Sequence, residues 1–114
     1  MALRFTVATG ASTGKPSWWL LDDDGRRIAW AGTFYKSIAD AHAAALAFKA
    51  GAQGWRYEIY MDDKDQPRWR AKDGKKLVAA GHAPFRTRSE AVTAAHSVSK
   101  DTTYASGPNP PTGG

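Results

Sequence analysis

The residues whose types and spacing could carry chemistry lie in loops, and the first candidate is a phosphate-binding loop. Residues 10–16 contain two glycines and a lysine, as such a loop does. Three residues rather than four separate the glycines, and Pro16 stands where the Mg²⁺-binding Ser or Thr belongs. No helix is expected to follow and supply its N-terminal dipole. We therefore interpret this segment as a hairpin loop.

The second candidate is a metal site. The acidic run 22–24 lacks the ligand spacing and the closing Glu of a calcium loop, and His42, His82 and His96 each lack a second ligand three or four residues away. The chain has no cysteine, so thiolate chemistry is excluded. We predict no catalytic residue, no metal and no cofactor, and we expect a protein that is not an enzyme.

Composition bounds the class of protein. The 114 residues are 42% hydrophobic with a formal net charge of +5, which suits one small globular domain with anionic partners. No apolar run approaches the roughly 20 residues of a membrane span. We expect a cytoplasmic protein that does not enter a membrane.

The elements that would position any site come from an internal repeat. Segment 24–32 matches segment 73–81, and segment 35–41 matches segment 85–91. In each copy an Asp-Gly hairpin signal joins two strands. A Ser/Thr-x-x-Asp/Glu pattern then starts an Ala-rich helix.

This pattern predicts an α+β fold in which two tandem β-β-β-α units form one antiparallel sheet with two helices packed on one face. The predicted parts are a first repeat, a second repeat and a disordered Gly/Pro-rich tail, at residues 1–53, 54–103 and 104–114.

The hairpin register decides which side chains face outward. A two-residue turn would place Arg70 on the core face, whereas a three-residue loop ending at Gly25 makes both hairpins apolar on one face. The second register predicts Leu20 opposite Ile28, Trp18 opposite Trp30, Trp69 opposite Leu77, and Pro67 opposite Ala79. It leaves Trp19 exposed on the other face.

That other face is the candidate binding surface because it mixes aromatic and basic side chains. Bases stack on aromatic rings while phosphates pair with Arg and Lys. The alternative is an ordinary polar outer face whose aromatics pack across strands. The candidate residues are Trp19, Arg27, Tyr60, Arg68, Arg70 and Lys76.

The duplicated pattern resembles the YegP-like family, small and mostly bacterial proteins containing one or two copies of a domain of unknown function. The resemblance covers about residues 4–100. The matching residues are Asp24-Gly25, Tyr35, Ser37 and Asp40, then Asp73-Gly74, Phe85, Thr87 and Glu90. It implies an antiparallel sheet backed by helices and no catalytic residue. Gly32 and Gly81, at positions where the family often has a small hydroxyl residue, and the density of tryptophan depart from the pattern.

Two functions follow as hypotheses. The first is a non-enzymatic binding module that contacts nucleic acid through the basic and aromatic sheet face. The second is a protein-interaction module, bacterial or phage-encoded, that uses the open sheet face or a sheet edge. We expect a monomer, with a dimer through Trp19 and Leu21 as the alternative.

Overall fold

The computed structural model describes residues 3–109, which form an α+β fold with six strands and two α-helices. A short 3₁₀ helix follows the second α-helix. The elements are β1 (Arg4–Thr9), β2 (Pro16–Leu21), β3 (Arg27–Trp30), α1 (Ile38–Gly51), β4 (Arg56–Met61), β5 (Pro67–Asp73), β6 (Lys76–Gly81), α2 (Arg88–Asp101) and the 3₁₀ helix (Thr102–Tyr104).

The strands form one antiparallel sheet in the order β1-β2-β3-β6-β5-β4. The central pair, β3 and β6, joins the two halves of the chain through Ala29 opposite Gly81 and Trp30 opposite Ala80. The edges are β1 and β4.

Both helices begin where the sequence predicts. Ser37 accepts a hydrogen bond from the backbone N–H of Asp40, and Thr87 accepts one from that of Glu90, each at 3.1 Å. These bonds satisfy N–H groups that a helix start leaves without an intrahelical partner.

Both helices pack on one face of the sheet, which we call the helix side. There Trp18 stacks on Phe48 of α1 with 5.0 Å between ring centroids, and Trp69 lies in the same buried cluster beside Val98 of α2. Trp18 and Trp69 are almost fully buried. The two halves of the chain therefore share one core.

The predicted hairpin register is wrong in both hairpins. In the first, Leu20 lies opposite Ala29 and Trp19 opposite Trp30, and the register shifts between Leu20 and Leu21. The predicted three-residue loop 23–25 is present, since the N–H of Asp22 donates to Arg26 O and Asp22 Oδ1 accepts the backbone N–H groups of Asp24 and Arg26. The register changes beyond the loop, at a bulge that leaves Ile28 between the register pairs Leu21–Arg27 and Leu20–Ala29.

In the second hairpin the pairs are Ala71 with Ala79, Lys72 with Leu77, and Asp73 with Lys76. The two-residue turn is Gly74-Lys75, with Gly74 at φ 60° in the first central position, where glycine is favoured. Trp69 therefore does not face Leu77, nor Pro67 Ala79.

The first register change moves Trp30 out of the core. Residues directly opposite each other on paired strands share a face, so Trp30 lies with Trp19 on the face away from the helices, which we call the open face. The expectation that Trp19 is exposed there is also wrong, since only 4% of Trp19 is exposed.

The prediction of a disordered tail from residue 104 is wrong for residues 104–109. The N–H of Phe5 donates to Ser106 O, and the N–H of Ser106 donates to Leu3 O, each at 2.9 Å, so this segment pairs in parallel with the start of β1. Lys49 Nζ donates to Gly107 O, and Ala105 is buried. The backbone bonds of the β1 edge hold a segment whose composition alone suggests disorder. The remainder of the predicted tail, 110–114, lies outside the described residues.

Candidate nucleic-acid interface on the open face

A row of side chains crosses the open face at right angles to the strands, because register partners on successive strands are neighbours. From β1 to β4 the row reads Thr6, Trp19, Trp30, Ala80, Arg70 and Glu58. Its first half is aromatic and its second half is charged.

The aromatic half is built around Trp19. The Arg27 guanidinium lies over the Trp19 ring, 4.6 Å from its centroid, which is a cation–π contact. Beside it, Trp30 contacts Phe34 with 5.4 Å between ring centroids, and both rings remain partly exposed. Trp30 and Phe34 therefore offer the accessible aromatic surface that the sequence assigns to Trp19.

These residues line a cleft of about 430 Å³, which we call the aromatic–basic cleft. The loop after β1 forms one wall, and Gly10 lies so close to Phe34 that an added Cβ would come within 2.9 Å of its ring. Arg68 and His82 reach the cleft from the second half of the chain. The lining residues are Gly10, Ala11, Ser12, Trp19, Arg27, Trp30, Phe34, Arg68 and His82.

Charge in the cleft is positive. None of the described residues that line it is acidic, and Arg27 forms no ion pair within residues 3–109. The side chain of Arg68 is fixed by an ion pair, since its Nε donates to Asp62 Oδ2 at 2.6 Å. This bond is the main reason that the pKa of Asp62 is lowered.

His82 completes the basic wall. Partial burial, followed by the positive charges of Arg27 and Arg68, holds the pKa of His82 below its usual value. The imidazole therefore gives up its proton more readily than an isolated histidine does.

The charged half of the row is neutralised internally. Arg70 lies over the Tyr60 ring, 4.5 Å from its centroid, and donates from Nε to Glu58 Oε1 at 2.9 Å. Glu58 is also within 3.3 Å of Arg56 and 3.5 Å of Lys72. The hydrogen bond from Arg70 is the leading cause of the lowered pKa of Glu58.

The structure thus separates the six candidate residues into groups. Trp19, Arg27 and Arg68 lie around the aromatic–basic cleft. Tyr60 and Arg70 form a pair further along the sheet, and Lys76 is exposed at the β5–β6 turn, opposite Asp73 and away from the cleft lining.

Sequence reasoning missed the three other ring-bearing side chains of the cleft, Trp30, Phe34 and His82, and the loop residues 10–12 that form its wall. Trp30 was assigned to the core by the wrong register. His82 follows β6 directly, and the pairing of β6 with β3 brings it close to Arg27. In the sequence, only its position after Gly81 at the end of a strand could have indicated a place in the site.

Another concavity, of about 450 Å³, lies on the helix side and is mostly apolar, with Trp69, Phe85 and Val98 in its lining. Within residues 3–109 no three His, Asp or Glu side chains come together in a way that could hold a metal ion. In the same part of the chain, no helix is long and apolar enough to cross a membrane.

Two solved structures resemble the whole described fold. The solution structure of yegP from E. coli, a protein of unknown function, superposes with a TM-score of 0.73 at 17% sequence identity, covering 90% of this chain and 88% of that one. The chain has the YegP fold. A UPF0339 protein from Shewanella oneidensis gives a TM-score of 0.72 at 12% identity, covering 90% of this chain and 86% of that one.

At these identities the likeness concerns the fold and not the site. No family model matches the chain, and no curated protein matches it. The open face of this chain must therefore be interpreted from its own residues.

Proposed function

We propose that this chain is a non-enzymatic module that binds single-stranded nucleic acid on the open face, centred on the aromatic–basic cleft. The observation that carries the proposal is the meeting of the partly exposed Trp30–Phe34 surface with Arg27 and Arg68 in one cleft. Unstacked bases pack on aromatic rings, and guanidinium groups pair with the phosphates between them.

Single strands are favoured over duplexes by the shape of the site. The aromatic rings lie within the sheet face and beneath a loop, where a base can reach them only if it is splayed out from its neighbours. A duplex would offer phosphates alone. Stacking on aromatics tolerates different bases, so we propose weak sequence preference.

The test is a fluorescence-anisotropy titration of labelled mixed-sequence DNA and RNA of about twelve nucleotides, single- and double-stranded. Each is measured at about 50 mM and about 200 mM salt. With two or three phosphate contacts, affinity for single strands should fall about tenfold between the two conditions through counterion release. Absence of binding at the lower salt, or affinity that is flat with salt, contradicts the proposal.

A second candidate function, docking of a partner protein at a sheet edge, is supported by the tail. At the β1 edge, the chain's own Ser106 already pairs in parallel with the strand. At the other edge β4 carries exposed Met61, and exposed Val92 of α2 lines a concavity together with Ile59 of the same strand. An extended segment from a partner could pair with β4 in the same manner.

A synthetic peptide with the sequence of residues 103–109 tests this second candidate. Added to the ¹⁵N-labelled full chain at about 1 mM, it should shift the β4 amides more than those of β5. A peptide with Pro in place of Ser106 is the matched control, because proline removes a backbone donor. Equal effects of the two peptides, or no shift in β4, would exclude this mode of docking.

We also propose that the halves are copies of one β-β-β-α unit. In support, Tyr35 donates its N–H to Pro16 O and Phe85 donates its own to Pro67 O, at 2.8 and 2.9 Å, so the chain leaves each sheet half in the same way. Two fused copies complete one sheet, and a monomer is the expected state. Light scattering should then give a mass near 12.3 kDa.

A further inference from the structure

We propose that Arg27, Arg68 and His82 form a seat for one phosphodiester group, with the adjoining base against Trp30 and Phe34. This inference rests on the proposed function and names the unit that the cleft recognises. Binding of this phosphodiester group strengthens as the solution becomes more acidic.

Convergence of three basic groups supports the seat. Arg27 comes from β3, Arg68 from β5 and His82 from the residue after β6, and all three line the same cleft. Arg27 is anchored over Trp19 and Arg68 by Asp62, so both guanidinium groups are held in place before a ligand arrives. Pre-positioned donors lose less conformational entropy on binding than mobile ones do.

Size and chemistry favour one nucleotide step. A cleft of about 430 Å³ falls within the range of small-ligand sites, which is roughly 300–1,000 Å³. One wall of the cleft is apolar and flat and consists of Trp30 and Phe34. Another wall is charged and consists of Arg27 and Arg68. A nucleotide step fits both walls, because its planar base can pack on the apolar wall while its phosphate pairs with the charged one.

The acid dependence follows from the surroundings of His82. The charged groups that face it are Arg27 and Arg68, with Asp62 behind Arg68, while the loop and aromatic walls contribute no titratable group. In the free protein burial, followed by the charges of the two arginines, disfavours a proton on His82, whose pKa is therefore lowered. A bound phosphodiester offsets that charge and raises the pKa in the complex. By linkage, affinity must then increase as pH falls between the two pKa values.

The experiment uses the full chain and a thymidine dinucleotide, whose single phosphodiester keeps its charge throughout the range. Affinity is measured by NMR titration at about pH 7.5 and about pH 5.5, following the His82 imidazole and the Trp30 indole. We expect affinity to rise several-fold, and by no more than about tenfold per pH unit because one proton is taken up. Both signals should shift.

His82→Gln is the matched variant, since glutamine keeps a hydrogen-bonding side chain and does not titrate. It should bind with an affinity that does not change with pH. Because the backbone N–H of His82 carries its bond to Ile28 O, this substitution leaves the β3–β6 junction intact. A pH dependence that persists in His82→Gln would overturn the proposal.

Sulfate and a twelve-nucleotide oligothymidylate complete the test. The dinucleotide should bind at least about fivefold more tightly than sulfate, because stacking adds to the charge contact. Equal affinities would overturn the base-and-phosphate seat. If the oligonucleotide binds but the dinucleotide does not, the seat is wrong and the proposed function stands. If the dinucleotide binds but the oligonucleotide does not, the seat stands and the proposed function fails.

Discussion

Arg27 and Arg70 each lie over an aromatic ring on the open face, 4.6 and 4.5 Å from the ring centroids of Trp19 and Tyr60. Their surroundings differ. Arg70 donates to Glu58, whereas Arg27 has no carboxylate partner within residues 3–109. A cation–π contact positions each guanidinium group. Within residues 3–109 Arg27 keeps its full charge beside the aromatic surface, whereas Arg70, like Arg68 with Asp62, shares its charge with a carboxylate.

The same contrast extends along the cross-strand row. Where the first half has Thr6, Trp19 and Trp30, the second half has Glu58, Arg70 and Ala80. The first set supplies flat apolar surface and leaves Arg27 free of acid partners. The second supplies a closed network of charges. Four predictions test this difference, beginning with the largest effect.

The aromatic rings beneath the two arginines should contribute unequally to stability. Trp19 is 4% exposed and Tyr60 is partly exposed. Trp19→Ala should lower the free energy of unfolding by about 3–5 kcal/mol, because it removes a large buried side chain. Tyr60→Ala should lower it by about 1 kcal/mol. Urea unfolding followed by circular dichroism measures both, and similar losses would show that the two halves are packed alike.

The two arginines should contribute unequally to binding. At about 50 mM salt, Arg27→Ala should weaken single-stranded oligonucleotide binding about tenfold and reduce the salt slope by about 1. Arg70→Ala should change affinity less than about twofold, because Arg70 pairs with Glu58 and, unlike Arg68, lies outside the aromatic–basic cleft. Anisotropy titrations measure the oligonucleotide affinity of both variants. The reverse ranking would place the binding surface in the second half.

Removing the shared carboxylate should make the second half resemble the first. Glu58→Gln releases Arg56, Arg70 and Lys72 from a common negative partner. Affinity for single strands should rise about two- to fivefold, and its salt dependence should become steeper. Asp40→Asn at the start of α1, on the helix side, is the control for a general gain in net charge. An equal gain from both variants would mean that only net charge matters.

Acid should weaken the ion pairs that Glu58 and Asp62 form on the open face before it affects the aromatic contacts. Glu58 and Asp62 have lowered pKa values, so their stabilising contributions are complete above their unfolded-state pKa values and are lost as pH falls through the folded ones. Asp62→Asn should reduce the urea midpoint at pH 7. In strong acid the urea midpoints of the variant and the native chain should converge. A constant difference between the two across the whole range would contradict the ion-pair account.

The parts of the fold encoded locally could be predicted from the sequence. Ser37 and Thr87 cap their helices as expected because an N-cap is satisfied within three residues. The α+β class and the helix-backed antiparallel sheet likewise follow from short-range patterns, and the structure confirms them.

The site could not be predicted in detail because it depends on register and strand order. Trp18 and Trp19 are adjacent, so either could face the core. A bulge at Ile28 shifts the pairing by one residue and brings Trp30 to the open face. Contacts of Glu58 with Arg70 and Lys72 need the β4–β5 pairing, and the approach of His82 to Arg68 needs the non-local sheet order.

The most direct test of the account follows the five tryptophan indole N–H signals while single-stranded oligothymidylate is added to the ¹⁵N-labelled chain. Trp30 should shift most and Trp19 next, since both line the aromatic–basic cleft. Trp18 and Trp69 are buried in the core, and the Trp55 indole is bonded to Phe48 O, so these three should remain in place. Binding by anisotropy without a shift at Trp30, or with the largest shift at Trp55 or Trp69, would contradict an interface on the first half of the open face.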